Sequence, residues 1–186
     1  MVKLIGKRIY LSTLEKEHFR KMHEEYEYDF ENPTWLLDIG QSIEKADEFF
    51  EKIKKDQGNL HIWLGIFLID GTIIGNIHLH DIDKISRTCY IGMEISKLKN
   101  RNKGYGKEAV KLILEYGFKF YGMERISATT LEMNVSAQKS LEKIGFILEG
   151  KDRKAVYFGG KRYDKYRYGL LVEEYINNVV DAQTIT

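Results

Sequence analysis

Residues 101–110 read RNKGYGKEAV: two glycines flank a tyrosine, basic residues surround them, and an apolar-periodic helix follows at once. The first N–H groups of such a helix have no intrahelical acceptor and sit at the positive end of its dipole, so they can hold an anion. Glycine lets that anion come close to the main chain. Arg101, Lys103 and Lys107 add positive charge. The competing reading is a plain strand-to-helix connection whose glycines only make the turn. The run Gly104 to Ala109 also satisfies the dinucleotide pattern G-x-G-x-x-G/A, which keeps a nucleotide-dependent oxidoreductase in view. Against that, the polar run SKLKN separates the glycines from their strand. Glu132, the acidic residue that follows the next strand, also lies well beyond the usual spacing of about 20 residues. Glu108 stands where a phosphate-binding P-loop needs Ser or Thr, and this excludes that motif.

Outward from the turn, hydrophobic periodicity orders the chain. KRIYLSTL reads as a first strand. Residues 13–29 read as a polar helix that Thr13 can cap, with Leu14, Phe19, Met22 and Tyr26 on its inner face. Pro33 marks a loop before a second helix, SIEKADEFFEKIKK, whose Ile43, Ala46, Phe49, Phe50 and Ile53 share one face. NLHIWLGIFLID and TIIGNIHLHDI then form strands around Asp70-Gly71, a two-residue hairpin signal, and RTCYIGMEIS is a third strand. Residues 104–121 form a helix with Ala109, Ile113, Tyr116 and Phe120 inward, and RISATTLEM a strand. SAQKSLEKI is a short helix that Gly145 ends in a left-handed cap, and a last hairpin turns at Gly159-Gly160. The order β-α-α-β-β-β-α-β-α-β-β implies an α+β fold with a mostly antiparallel sheet and helices packed on it.

A chain of 186 residues, 43% hydrophobic and 31% charged, suits one soluble domain with a proper core. The net charge of +1 favours neither nucleic acid nor an acidic surface, so any charge preference must be local. Cys89 alone cannot form a disulfide within the chain, the start lacks the apolar run of a signal peptide, and no segment approaches a membrane span. The expectation is a cytoplasmic protein with no nucleic-acid or membrane partner.

Arg101-x-x-Gly104-x-Gly106 resembles the Q/R-x-x-G-x-G/A signature of the GNAT N-acetyltransferases. NVSAQKSLEKIGF, residues 134–146, resembles that family's N-x-x-A/S-x-x-x-x-x-K-x-G-F segment. The closing LEGKDRKAVYFGGKRYDKYRYGLL resembles the last hairpin of the RimJ/RimL-like branch, which includes protein N-terminal and polyamine acetyltransferases. The resemblance covers nearly the whole chain. It implies a GNAT fold over residues 1–180, with a twisted sheet of about seven strands and about four helices, and a flexible tail at 181–186. The anion becomes the pyrophosphate of acetyl-coenzyme A, held by Arg101, Asn102, Lys103, Gly104, Tyr105, Gly106 and Lys107. The pantetheine would run between strands that splay apart, past Met93 and Ile95. Asn134 matches a position that bonds the cofactor or its bound acceptor, with a simple helix cap as the competing reading. A homo-oligomer is compatible with this family.

Acetyl transfer sets the remaining demands. An alkyl ammonium, with a pKa near ~10.4, must lose a proton before it attacks. Glu94 is the first choice of base, with His78 and His80 as alternatives on one face of the preceding strand. The departing thiolate benefits from a proton donor. Many family members carry tyrosine where this chain has Leu141, which cannot donate. Ser140 is then the candidate acid, with Tyr163, Tyr166 and Tyr168 as alternatives. The missing tyrosine also leaves open a non-catalytic acyl-coenzyme A sensor. The acidic, aromatic run EEYEYDFENPTW suits a cationic amine, either a small molecule such as a polyamine or a peptide N-terminus. It nominates Glu24, Glu27, Asp29 and Trp35 for the acceptor pocket beside His78, against a merely solvated helix face. His78, His80, Asp81 and Asp83 fall short of a metal site, because alternate strand positions converge only two ligands.

Overall fold

The computed structural model describes residues 3–31, 33 and 42–184. One eight-stranded sheet organises them. In chain order its strands are β1 Lys3–Ile5, β2 Ile9–Thr13, β3 Ile62–Leu68, β4 Ile73–Asp83, β5 Thr88–Ile95, β6 Arg125–Leu131, β7 Ile147–Phe158 and β8 Lys161–Leu171. The spatial order is β1-β2-β3-β4-β5-β6-β8-β7. Every neighbouring pair is antiparallel except β5 and β6, which run parallel across the middle. The helices are α1 Lys16–Glu24, α2 Ile43–Asp56, α3 Tyr105–Glu115, α4 Val135–Ile144 and α5 Val172–Thr184. The α+β class and the mostly antiparallel sheet agree with the sequence. Among the described residues the count is eight strands and five helices, because the first strand is a short hairpin and a C-terminal helix follows the last one. No helix among the described residues is long and apolar enough to cross a membrane.

Several local expectations change. Thr13 ends β2 and caps nothing; α1 starts after Glu15, whose N–H bonds a His18 ring nitrogen at 3.2 Å. The helix stops at Glu24, so Tyr26 lies beyond it. The Asp70-Gly71 turn is longer than two residues: Gly71 N–H donates to the Leu68 carbonyl, and Leu68 N–H to that of Thr72, both at 2.9 Å. Gly71 supplies the positive φ, 90°, that this bulged turn needs. The 104–121 helix changes character at Tyr116, where a π-helical turn lets Tyr121 N–H reach the Tyr116 carbonyl at 2.9 Å. The extra residue rotates the inward face, so Gly117 and Phe118 are buried and Phe120 is 76% exposed.

The main core lies between the sheet and α3. Ala109, Ile113 and Leu114 of α3 are fully buried against Ile77, Leu79, Cys89 and Ile126. Cys89 and Ile91 point to this side of β5, so the alternate residues Tyr90, Gly92 and Glu94 face the other way. On that second face, Leu14, Met22, Phe67 and Ile73 form a small cluster beneath α1, and Phe49 of α2 sits edge-on to Trp63.

Candidate active site

The parallel ladder between β5 and β6 pairs Thr88 with Arg125 through Ile91 with Ala128, and stops there. Both strands continue, each with its other neighbour. β5 stays on β4 as far as the Ile95–Gly75 pair, and β6 stays on β8 as far as Leu131–Lys165. The two middle strands therefore part after Ile91 and Ala128, which leaves a gap bordered by Gly92–Ile95 and Thr129–Leu131.

The glycine turn stands at the mouth of this gap. Asn102 and Gly104 have φ of 59° and 82°, and α3 begins at Tyr105. The first helical donation is Glu108 N–H to the Gly104 carbonyl at 3.1 Å. The N–H groups of Gly104, Tyr105, Gly106 and Lys107 have no acceptor among the described residues. These four open donors lie at a dipole's positive end, where an anion can be held. The Met93 side chain lies over Gly106, with Cε 2.7 Å from where a Cβ would stand.

Arg101 is placed differently from the simplest expectation. Its Nε donates to the Ile95 carbonyl at 3.0 Å and its guanidinium to the Glu27 carbonyl at 2.9 Å. Its guanidinium fastens the segment after α1 to the end of β5. Sequence reading missed Arg8, which reaches the turn from the β1–β2 hairpin. Arg8 donates to the Lys103 carbonyl at 2.8 Å and lies 3.1 Å from a Cβ position on Gly104. Glu108 holds it there: its carboxylate accepts from Lys7 N–H at 2.6 Å, Arg8 N–H at 2.8 Å and Arg8 Nε at 3.0 Å. Burial works against the ionised form of Glu108, but the Arg8 and Lys7 bonds outweigh it and hold its pKa below the ordinary value.

Glu94 lies opposite Asn76 on the face turned away from α3. Burial lifts its carboxyl to about 6, while Arg101 and His23 pull the other way. Such a carboxylate, half-buried beside the gap and poised near neutrality, can take a proton. His78 suits that task less well. Its ring stacks on Trp63 at 3.7 Å and covers Gly92, and burial pushes its pKa down to about 3.

The other nominated residues divide. Ser140 is half-buried on α4 and forms no hydrogen bond among the described residues. Leu141, which has no proton to donate, packs against the main core. Tyr168 is 1% exposed, its hydroxyl bonds Glu142 at 3.2 Å, and burial lifts its pKa to about 12, so it is no ready donor. The Tyr166 hydroxyl accepts from Lys151 at 3.1 Å, and Tyr163 is half-buried in the same strand. Asn134 caps α4, accepting Ala137 N–H at 3.1 Å.

The acidic run is largely engaged. Glu25 pairs with Lys97 at 3.0 Å, and Glu27 accepts Leu98 N–H at 2.7 Å. Asp29 accepts Glu31 N–H at 3.0 Å, and Glu24 is exposed at the end of α1. Trp35 lies outside the described residues. Among those described, no three of His, Cys, Asp or Glu converge as for a metal. Cys89 is buried, its thiol pushed up to about 12.

The same fold recurs among solved structures. One is a spermidine N-acetyltransferase from Vibrio cholerae in complex with CoA and spermine, with TM-score 0.81, 21% identity, and coverage of 92% of this chain and 100% of that one. In sequence, the chain is 31% identical over 145 residues to a Bacillus subtilis protein called "Putative ribosomal N-acetyltransferase YdaF", covering 76% of this chain and 78% of that one. It is 22% identical over 166 residues to the spermidine N(1)-acetyltransferase of Escherichia coli strain K12, covering 89% and 87%. Residues 8–147 match the acetyltransferase (GNAT) domain. With a parted pair of central strands, an open amide turn and this match, the chain belongs to the GNAT acetyltransferase family, enzymes that move an acetyl group from acetyl-coenzyme A to an amine.

Proposed function

We propose that this enzyme acetylates a primary amine by direct attack in a ternary complex, with Glu94 as the base. The observation that carries the reading is a half-buried carboxylate, lifted to about 6, beside the gap where β5 and β6 part. Bound acetyl-coenzyme A supplies an activated acyl group as its thioester. The amides of Gly104 to Lys107 hold the pyrophosphate, and Lys103 and Lys107 add charge beside it. Main-chain groups at Met93 and Ile95, past the end of the ladder, orient the pantetheine. Glu94 accepts the proton that the ammonium must lose, and the Ser140 hydroxyl donates one toward the thiolate sulfur. Asn134 positions the α4 start against the cofactor. Glu27 and Arg101 act through placement, fixing the acceptor-side segment against β5.

The acceptor is an amine on the face that carries Glu94 and His78. A small-molecule amine and a peptide N-terminus remain in the same class, and the fold is proposed to act in the cytoplasm, alone or as a homo-oligomer. A thiol-release screen of amines with acetyl-coenzyme A tests the reading. Turnover with at least one primary amine is expected. Tight cofactor binding with no thiol release in any amine would instead favour a sensor.

A further inference from the structure

The sheet face that carries Glu94 also carries a run of rings. The registers set Trp63 opposite His78 and His80 opposite Tyr90. Partners in an antiparallel ladder share a face, with Cβ atoms ~4.5–5.5 Å apart. Trp63 and His78 stack at 3.7 Å with planes 11° apart. His78 meets His80 at 5.2 Å, and His80 stacks on Tyr90 at 5.7 Å. Phe49 closes the outer end, edge-on to Trp63 at 5.7 Å. Gly92 makes the arrangement possible: a Cβ there would stand 2.2 Å from the His78 ring.

This wall starts one row from Glu94. Gly92 and Glu94 are alternate residues of β5, ~7 Å apart along the strand. The wall is open at its two ends, where Phe49 and Tyr90 are 44% and 41% exposed, and Trp63, His78 and His80 between them are half-buried. Among the described carboxylates of the acidic run, Glu25 pairs with Lys97 and Glu27 accepts Leu98 N–H, while Glu24 is exposed at the end of α1. The row beside Glu94 is aromatic rather than acidic: Trp63 and His78 each cover a face of the other, and His78 is neutral at the pH where Glu94 is ionised.

We infer that the Trp63–His78–His80–Tyr90 wall is the acceptor subsite, and that it takes a primary amine joined through one to three carbons to a flat ring. The amine then reaches Glu94 while its ring lies along the stacked row. This inference rests on Glu94 marking the reacting end. Arylalkylamines and peptides with an aromatic N-terminal residue share the chemistry.

The test compares 2-phenylethylamine, a tripeptide starting with phenylalanine, butylamine and spermidine. Each is measured for thiol release from acetyl-coenzyme A and for calorimetric binding to the coenzyme A complex. Ring amines should exceed butylamine and spermidine in kcat/KM. Trp63→Leu and the more exposed Tyr90→Ala should each shrink the ratio of ring amine to butylamine about three- to tenfold, the range expected for a lost ring contact. The ring amine favoured by the wild type identifies the source, peptide or free arylalkylamine. If no amine releases thiol, yet ring amines bind best and lose that preference in both variants, the subsite stands and the role of Glu94 falls. A wild-type preference for spermidine, or ratios unchanged in both variants, would overturn the inference.

Discussion

Replacing Glu94 by glutamine removes a charge that the fold holds against its own tendency, so the variant should gain stability as it loses activity. Burial lifts the Glu94 carboxyl from 4.5 to about 6, against the opposing pull of Arg101 and His23. In that interval the folded chain binds more protons than the unfolded one, so stability falls as pH rises. The contribution is fully present below 4.5 and lost as pH climbs through about 6. At about 1.36 kcal/mol per pH unit, the interval amounts to about 2 kcal/mol. Glutamine keeps the shape and never ionises. The stability difference between Glu94→Gln and wild type, measured by urea unfolding, should therefore widen by about 2 kcal/mol in favour of the variant from pH ~4 to pH ~7.5. A difference that stays constant over that range, or moves the other way, refutes the reasoning.

Gly106→Asp puts a carboxylate at the open amides while the flexible Met93 side chain gives way, so calorimetry should record at least a tenfold loss of coenzyme A affinity with the fold retained. Glu108→Ala removes the clamp on Lys7 and Arg8 and should cost about 2–3 kcal/mol in urea unfolding at neutral pH, less as pH falls below the ordinary carboxylate range. It should also weaken cofactor binding, because Arg8 supports the Lys103 carbonyl. Ser140→Ala should lower the maximal rate about tenfold or more, whereas Tyr168→Phe should change stability and leave the rate near wild type. Equal rates for both variants would remove Ser140 from the acid role.

The glycine turn was legible because its chemistry is local: two glycines, flanking charge and an immediate helix fit within ten residues. The last hairpin and Asn134 as the cap of α4 were legible for the same reason. Arg8 was not, since it meets Gly104 only after β1 and β2 fold back along α3, and nothing near Gly6 announces that contact. Arg101 and Glu27 looked like ligand-facing charges because sequence shows their sign and not their reach. In the fold each satisfies main-chain groups, the Ile95 and Glu27 carbonyls and the Leu98 N–H. The aromatic wall escaped notice because its members sit on three strands, and only the register sets Trp63 beside His78 and His80 beside Tyr90 on one face.

Thiol release from acetyl-coenzyme A against pH, with saturating amine, bears most directly on acetyl transfer with Glu94 as base. Wild type should show an acid limb centred near the Glu94 pKa of about 6. Glu94→Gln should turn over about 10²–10⁴-fold more slowly and lack that limb, with coenzyme A affinity retained. A variant with wild-type turnover and the same acid limb would contradict the assignment.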